Sequence, residues 1–341
     1  MSYEKGEIYF VRERNGPEGL RSPFVKIGLV RYKDKRDSFN RLAEHQTGNP
    51  RTLELVRDEI VVTDAVDMVE AQLHRVFAKE RVSGEWFEFP DDQKLGEAVA
   101  KAKALAAEVA PIVPKLTEAE KLKNVASNGK SKEASEDNRL SAQRLAVAKE
   151  QVAVCVRLIK TINTKIAAAV DAGQDISSIA ATSVRKYSPK FLVEAFQAAH
   201  PDLYEKYLTE ISEWEQRFLL KTKLEDDTSL GQDFSAIIRE IEILLAPELD
   251  RNDIVKLNEP YLQLTHLKGL AEWAIQIETA ELKLALGEFD ELNGLCTWKR
   301  YSKVGMAFDS DLFAIENPEL ALKFVSVPEE KTYVQAKKKK L

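Results

Sequence analysis

Apolar residues in the first ninety positions alternate between the spacing of strands and the spacing of helices. Residues 7–11 and 24–30 are rich in β-branched and aromatic residues, and the turn-forming stretch between them predicts a hairpin with a long loop. A segment of helical spacing follows, and residues 53–62 predict a third strand. A second amphipathic helix and the aromatic segment 84–90 complete the pattern. This order predicts a small α+β domain over residues 1–93, with an antiparallel sheet flanked by helices.

The remainder of the chain has the apolar spacing of helices. Within residues 94–138 we predict one helix over 94–110, followed by a polar linker that we expect to be mobile. Beyond residue 138 every amphipathic pattern is helical, so we predict a mostly α-helical C-terminal region.

A repeat divides this C-terminal region into two copies. Six positions of the first copy recur 117 residues later, and each copy follows a long amphipathic helix. We therefore predict two related helical modules, residues 139–225 and 226–330, and a basic tail at 331–341. Chance similarity between two helical pairs is the alternative interpretation. The matched residues are Phe191, Phe196, Pro201, Asp202, Leu203 and Tyr207 in the first copy and Phe308, Phe313, Pro318, Glu319, Leu320 and Phe324 in the second.

Composition changes this picture little. At 341 residues, with 44% hydrophobic and 31% charged residues, the chain is typical of a globular protein with two or three domains. It has neither a secretory start nor an apolar run of membrane-spanning length, so we expect no membrane partner. Cys155 and Cys296 lie in apolar helical patterns and are predicted to be core residues, which fits a cytoplasmic protein.

Charge is distributed unevenly along the chain. The net charge of −6 argues against a protein that coats nucleic acid unspecifically. Residues 12–57, however, hold eleven Lys and Arg against six Asp and Glu, whereas residues 202–260 hold seven against fifteen. A phosphate-binding surface is therefore expected near the N-terminus. No glycine-rich phosphate loop is present, so the use of ATP or NAD has no support.

Six side chains of the N-terminal domain are placed where one active site can gather them. Cleavage of a phosphodiester needs an activated water, a cation for the developing charge and help for the leaving oxygen. The candidates are Tyr9 and Lys26 on the first two strands, Arg41 and His45 one turn apart on the first helix, and Glu70 and His74 one turn apart on the second.

Each candidate has a chemical role and a simpler alternative. Tyr9 can take the proton of the water as a phenolate if Lys26 and a metal lower its pKa; a packed aromatic residue is the alternative. Arg41 can clamp a phosphate, or lie solvated on its helix. Glu70 can hold one Mg²⁺, or form an ordinary ion pair. The two histidines can transfer protons or contact phosphate, and the second can simply bond Glu70.

Taken in order, these motifs resemble the GIY-YIG nuclease superfamily, most closely its phage-associated branch with a Lys-Ile-Gly second motif. The resemblance covers residues 6–90 and implies a three-stranded antiparallel sheet, one Mg²⁺ or Mn²⁺ ion and hydrolysis of DNA. It gives Tyr9 the role of base, Arg41 that of phosphate clamp and Glu70 that of metal ligand. The motifs are Ile8-Tyr9, Lys26-Ile27-Gly28, Arg41-Leu42, Gly48-Asn49-Pro50, Glu70 with His74, and Trp86-Phe87.

The chain also departs from this family pattern. Lys26 replaces the tyrosine of the second motif, and Gly6 is separated from the first motif by Glu7. No residue matches the asparagine that many members carry late in the domain. The main hypothesis is a metal-dependent DNA endonuclease; a catalytically inactive DNA-binding protein and a helical scaffold protein are the alternatives.

The C-terminal modules resemble, more faintly, the tail of YqaJ-type viral recombinases. The likeness implies association with DNA processing, with protein partners or with further copies of the chain. Within it, residues 298–301 can stack on bases or grip phosphate, and they can equally be packed. The residues that carry the likeness are Gly294, Thr297-Trp298-Lys299, Phe308-Asp309, Phe313 and Pro318-Glu319-Leu320.

Overall fold

A six-stranded antiparallel sheet forms the N-terminal part of this computed structural model, which describes residues 3–15, 20–56, 59–224, 230–246, 249 and 251–337. The tip of the predicted hairpin loop, residues 16–19, lies outside the described residues. The predicted third strand is two short strands, β3 and β4, which both pair with β1. The strands are β1 (Gly6–Asn15), β2 (Leu20–Arg31), β3 (Thr52–Leu55), β4 (Val61–Thr63), β5 (Arg81–Ser83) and β6 (Trp86–Glu88).

Helices α1 (Ser38–Gln46) and α2 (Val66–Val76) cover opposite faces of this sheet. Because successive strand residues point to opposite faces, Ile8 packs with the apolar face of α2 whereas Tyr9 packs on the α1 side, beside Leu42. Each such fully buried apolar side chain contributes roughly 1.5–3 kcal/mol. The prediction of an antiparallel sheet with flanking helices is confirmed.

The segment predicted as a mobile linker is largely ordered secondary structure. After α3 (Asp92–Val109), the helix α4 (Val113–Lys121) and a 3-10 turn (Leu122–Asn124) occupy the first part of it. Leu116 and Ala119 of α4 pack against Ala280, more than 160 residues away. The prediction was wrong because the apolar positions of this short helix are few, and only a distant partner buries them.

Two long antiparallel helices, α5 (Glu136–Asp171) and α10 (Asn258–Leu286), form the base of the C-terminal region. Arg144 near the start of α5 forms an ion pair with Glu278 near the end of α10, through bonds of 2.6 and 3.0 Å. Helices α8 (Gln232–Leu245) and α9 (Arg251–Lys256) complete the core around the second half of α5. Cys155 and Cys296 are buried free thiols, so the prediction that they are core residues is confirmed. No helix in the described part of the chain combines the length and apolarity needed to cross a membrane.

The C-terminal region is mostly helical as predicted, but the interpretation of every amphipathic pattern beyond residue 138 as a helix was wrong. Long strands make two antiparallel ladders, and they are exposed on both faces over much of their length, so they lack the one-sided alternation that identifies a strand in a sequence. Residues 331–336 belong to a strand and not to a tail, and Lys338–Leu341 lie outside the described residues. The strands are β7 (Ser131–Lys132), β8 (Ala180–Tyr187), β9 (Leu208–Leu220), β10 (Glu291–Leu292), β11 (Cys296–Phe308) and β12 (Glu329–Ala336).

The 117-residue repeat applies to whole secondary-structure elements as well as to the six matched residues. Each copy is a long helix, a strand, a pair of short helices and a second strand. The strands are exchanged: β8 of the first copy pairs with β12 of the second, and β11 of the second pairs with β9 of the first. Even the register repeats, since the pair Val184–Thr332 corresponds to the pair Tyr301–Glu215 after a shift of 117 positions in each strand. The two copies are therefore intertwined and are not separate helical modules.

The matched aromatic residues of both copies meet in one cluster, which we call the tip. It is built on the short helices α6 (Val193–Ala199), α7 (Pro201–Lys206), α11 (Ser310–Glu316) and α12 (Pro318–Leu322). Phe196 and Phe313, equivalent residues of the two copies, are fully buried with ring centroids 4.5 Å apart. The repeated residues thus form a shared core between the copies.

Candidate active site

One edge of strand β2 organises the candidate site. β2 pairs with β1 along its length, but with β6 only over Phe24–Lys26, and the Ile27 amide adds one bond to the carbonyl of Glu85. Residues 28–31 consequently have no described strand on the side away from β1. Helix α2 lies along this edge and presents one row of polar side chains to it. The row is Asp67, Glu70 and His74.

The outer members of this row are anchored, and Glu70 between them is not. Asp67 accepts two hydrogen bonds from the guanidinium of Arg31, and Nε2 of His74 lies 3.1 Å from the carbonyl oxygen of Ile27. No hydrogen bond or ion pair joins Glu70 to another described residue. His74 therefore holds α2 against the sheet. The predicted alternative, that His74 bonds Glu70, was wrong.

The free carboxyl of Glu70 is in a setting that disfavours its charge. Its pKa is raised to about 7, mainly by burial and then by the negative charges of Glu85 and Asp67, while the charges of Lys26 and Arg31 oppose the rise. Near neutral pH the group is on the border between its protonated and ionised forms. A divalent cation at this position would supply the positive charge that the carboxylate lacks.

Tyr9 reaches the same edge from the opposite face of the sheet. Its ring crosses Gly28, the residue paired with it on β2, and a Cβ at Gly28 would lie 2.5 Å from the Tyr9 Cζ and hydroxyl oxygen. The glycine of the Lys-Ile-Gly motif thus makes room for the tyrosine. Burial raises the pKa of Tyr9 to about 12, although the charge of nearby Arg41 lowers it.

His45 is the direct partner of the Tyr9 hydroxyl. Its Nε2 atom lies 3.0 Å from that oxygen. Burial lowers the pKa of His45, and the positive charges of Lys26 and Arg41 lower it further. The imidazole is therefore neutral at pH 7, and with its proton on Nδ1 it can accept the phenolic proton.

Lys26 does not serve Tyr9 in the expected way. It is buried with only 8% of its surface exposed, and its ammonium binds the carboxylate of Glu85. Burial opposes the ionisation of Glu85, yet the bond and charge of Lys26 leave its pKa below the ordinary value. The charge of Glu85 also acts on Tyr9 and Glu70, so this carboxylate lies at the centre of the site.

Two functional candidates were missed by sequence reasoning, Glu85 and Arg81. The guanidinium of Arg81 bonds the carbonyl of Gly84 and lies over the Phe87 ring, and burial lowers its pKa although Glu85 and Glu70 oppose this. Both lie in the β5–β6 hairpin, whose turn contains Gly84 with a φ of 56°. The only sequence signal was that turn, which does not reveal where its charged side chains point.

The structure thus gathers all six predicted residues around one end of β2, with Tyr9 and Glu70 starting from opposite faces. No hydrogen bond joins Tyr9 to Glu70 among the described residues, but the charge of Glu70 acts on Tyr9 and raises its pKa slightly. The described residues contain no group of three or more His, Cys, Asp or Glu side chains that could hold a metal ion. A hydrated Mg²⁺ needs only one or two carboxylates, however, and Glu70 is one with no competing partner.

Comparison of the chain with protein-family models, with curated proteins and with solved structures gives no match. A function for this site is therefore argued from its motifs and its geometry.

Proposed function

We propose that the N-terminal domain is a divalent-metal-dependent DNA endonuclease of the GIY-YIG type. The observation that carries the proposal is the free carboxyl of Glu70, held between two anchored neighbours and close to the Tyr9–His45 pair. A half-buried carboxylate without a partner destabilises a fold when it is ionised, so its presence favours a ligand of positive charge. The order of the motifs and their resemblance to the nuclease family add support.

The side chains of the site divide the reaction between them. Arg41, which is ion-paired with Glu44 in the free protein, and Arg81 provide planar donors for the oxygens of a phosphate. When bound to Glu70, Mg²⁺ or Mn²⁺ would neutralise part of the phosphate charge. Lys26 holds Glu85 and keeps that carboxylate from competing for the arginines.

The proton of the attacking water leaves through Tyr9 and His45. With a pKa of about 12, the hydroxyl of Tyr9 is protonated at neutral pH. It instead passes its phenolic proton to Nε2 of neutral His45 as its oxygen accepts a proton from water. Tyr9 gains one proton from water and loses one to His45, so Tyr9 stays neutral and His45 becomes the imidazolium. The phenolate expected from the sequence is thus replaced by a relay.

The setting proposed for this enzyme is cytoplasmic, where its two free thiols stay reduced. DNA is the proposed substrate, and the C-terminal region is proposed to act in targeting or in assembly with protein partners.

The test is cleavage of plasmid and single-stranded DNA with Mg²⁺ or Mn²⁺ by the wild type, Glu70→Gln and Tyr9→Phe. We expect cleavage by the wild type and loss of about 10²–10⁴-fold in Tyr9→Phe, the usual contribution of a general base. Glu70→Gln should lose at least as much, because the metal loses its carboxylate. Glu108→Gln, an exposed glutamate on α3, is the matched control and should cleave normally.

Equal cleavage by the wild type and Glu70→Gln would contradict the proposal and indicate a contaminant or another site. Binding of DNA without cleavage by the wild type would favour an inactive DNA-binding protein. Neither binding nor cleavage would leave a helical scaffold protein.

A further inference from the structure

A small cleft lies where the beginning of the chain meets the C-terminal helices. It is bounded by Tyr3, which precedes β1, by α4 with the 3-10 turn after it, and by the C-terminal third of α10. Its apolar walls include Leu116 and Ala119 of α4 and Ala280 of α10, which join the two helices. None of the six candidate active-site residues lines it. The cleft is therefore a separate feature, at the junction of the two parts of the chain.

Three polar side chains of this cleft have no hydrogen bond or ion pair with another described residue. They are Tyr3, Thr279 and Lys283. Thr279 and Lys283 are one turn apart on α10, so they lie on the same side of the helix. An ammonium donates up to three hydrogen bonds and accepts none. The acceptors for Lys283 must therefore come from solvent or from a bound ion.

The ammonium of Lys283 also lacks a counter-ion. It lies 4.7 Å from the centre of the Trp298 ring, its closest ring contact. Its pKa is lowered to about 8, mainly by burial and then by the positive charge of Lys123, while the charge of Glu120 opposes the change. Glu120 is ion-paired with Lys123. At pH 7 Lys283 therefore still carries a positive charge, and no carboxylate of a described residue is bonded to it.

The size of the cleft limits the ligand to a small one. Its volume is about 200 Å³, which is less than the roughly 300–1,000 Å³ of sites for drug-sized ligands. At about 30 Å³ for each water molecule, it has room for about six of them, or for one small ion with part of its hydration shell.

The hydrogen-bond donors around this volume belong to three different elements. Tyr3 belongs to the segment before β1, Lys123 to the turn after α4, and Lys283 to α10. A carboxylate has two oxygens on one side, whereas a tetrahedral oxyanion has acceptors in every direction. The arrangement of the donors therefore favours a tetrahedral ion.

We propose that this cleft binds a phosphate group, with Lys283 and Lys123 balancing its charge and the hydroxyls of Tyr3 and Thr279 donating hydrogen bonds to it. Charge-assisted hydrogen bonds of this kind are stronger than neutral ones. Phosphate bound there connects the segment before β1 to α10 and stabilises the junction. The inference does not depend on the proposed nuclease activity, because it uses none of the residues of that site.

The first test is thermal unfolding of the full-length protein without divalent metal, with inorganic phosphate added at constant ionic strength. We expect phosphate to raise the melting temperature of the wild type saturably, because it binds the folded state. Lys283→Met keeps a side chain of similar shape and removes the charge, so the apparent Kd should rise at least about tenfold. Lys121→Met, at an exposed lysine of α4 that is ion-paired with Glu118, is the matched control and should bind as the wild type does.

The difference between wild type and Lys283→Met decides the outcome. Phosphate that binds to Arg41 in the candidate active site is unaffected by this substitution. Equal stabilisation of the two proteins would overturn the proposal, and so would the absence of any stabilisation of the wild type. The same stabilisation by sodium chloride of equal ionic strength would show screening of charge and not a site.

A second variant keeps the proposal testable if Lys283→Met does not fold. Tyr3→Phe with Thr279→Val removes both hydroxyls with little change of shape, and neither hydroxyl bonds a described residue. We expect phosphate binding to weaken at least about tenfold, because two hydrogen bonds to a charged group are lost. Binding equal to that of the wild type would contradict the assigned contacts.

Proton uptake is a readout that a merely structural role of Lys283 would not change. A bound oxyanion favours the charged ammonium and raises its pKa, so binding at pH 8 should take up roughly half a proton for each ion. Sulfate is the probe, because it has the shape of phosphate and does not titrate near pH 8. Calorimetry in two buffers of different ionisation enthalpy measures the uptake. No uptake by the wild type, or equal uptake by Lys283→Met, would overturn the proposal.

Competition with bound sulfate identifies the source of the phosphate group. Stronger displacement by inorganic phosphate would indicate the free ion, and stronger displacement by glycerol 3-phosphate would indicate a small phosphate ester. Acetate has only the two oxygens of a carboxylate and should compete weakly. Displacement by acetate as effective as that by phosphate would overturn the assignment to a tetrahedral ion.

Discussion

Ionisation of Glu70 destabilises the folded state. This destabilisation indicates a functional residue more clearly than the place of Glu70 in a motif does. Its neighbours in the row are bonded to Arg31 and to the carbonyl of Ile27, so the sheet gains nothing from a third anchor at Glu70. An uncharged side chain of the same size would stabilise the fold better at neutral pH. The cation of the proposed function would account for a carboxyl in this place.

The pH dependence of stability tests the setting of Glu70. Its folded pKa of about 7 is higher than the ordinary value of 4.5, so its contribution to stability is complete below about pH 4.5 and is lost as the pH rises through 7. Glu70→Gln removes that loss. At pH 8 in EDTA the variant should be more stable than the wild type by on the order of 2 kcal/mol, and at pH 4 the two should be equal.

Thermal unfolding at both pH values checks this, with the exposed Glu108→Gln as control. Mg²⁺ or Mn²⁺ should raise the melting temperature of the wild type at pH 8 and leave that of Glu70→Gln unchanged. A variant that is less stable than the wild type at pH 8 would show that Glu70 has a partner of opposite charge in the free protein.

At the scale of elements, β11 shows how one strand serves two purposes. Trp298 and Arg300 are buried, while Lys299 and Tyr301 between and after them point to solvent. The packing interpretation of residues 298–301 is therefore confirmed for Trp298 and Arg300, and contact with nucleic acid stays a prediction for the exposed Lys299 and Tyr301. Arg300 stacks on the Trp298 ring and donates to two carbonyl oxygens, at 2.8 Å and 2.6 Å, which fixes the end of α10 and the 3-10 turn after α4.

Adjacent substitutions in β11 should therefore differ sharply. Arg300→Ala removes the side-chain donor to the carbonyls of Leu122 and Gly287 and leaves a cavity beside Trp298, so we expect a loss of about 2–4 kcal/mol. Tyr301→Ala removes an exposed ring and one exposed hydrogen bond to Glu215, so its effect should stay below about 1 kcal/mol. Calorimetric melting of both variants measures the difference, and similar melting temperatures would contradict the assigned faces.

At the scale of the whole molecule, strand exchange makes the two copies depend on each other. Neither copy contains both strands of an antiparallel ladder, because β8 and β9 of the first copy have their partners in the second. The tip is likewise built from rings of both copies. The C-terminal region is thus one cooperative unit and not two modules in series.

Division of the chain between Leu224 and Leu230, at the boundary of the copies, tests this dependence. Co-expressed halves should purify as a one-to-one complex, because only together do they restore both antiparallel ladders and the tip. Each half alone exposes unpaired strand edges and should aggregate or remain unfolded. Gel filtration and circular dichroism provide the readout. Two stable, folded halves that do not associate would show that the exchange is dispensable.

The sequence alone determined those features of the structure that depend on residues close to one another in the chain. The helical periods of α1, α2, α3, α5 and α10 depend on contacts three or four positions apart, and each of these helices is present. The positions of Tyr9 and Gly28, Arg41 and His45, and Glu70 and His74 follow from strand and helix spacing in the same way. The aromatic repeat could also be read directly from the chain.

Tertiary structure decided the remainder, because the deciding interactions join residues far apart in the chain. β8, β9, β11 and β12 are strands only because each has a partner 76 residues or more away in the chain, which no local pattern reports. Glu85 and Arg81 lie in the site because a hairpin turn directs them there. Lys26 forms an ion pair with Glu85, which is 59 positions away in the chain. That Glu70 alone in its row lacks a partner is likewise visible only once the sheet edge and α2 are assembled.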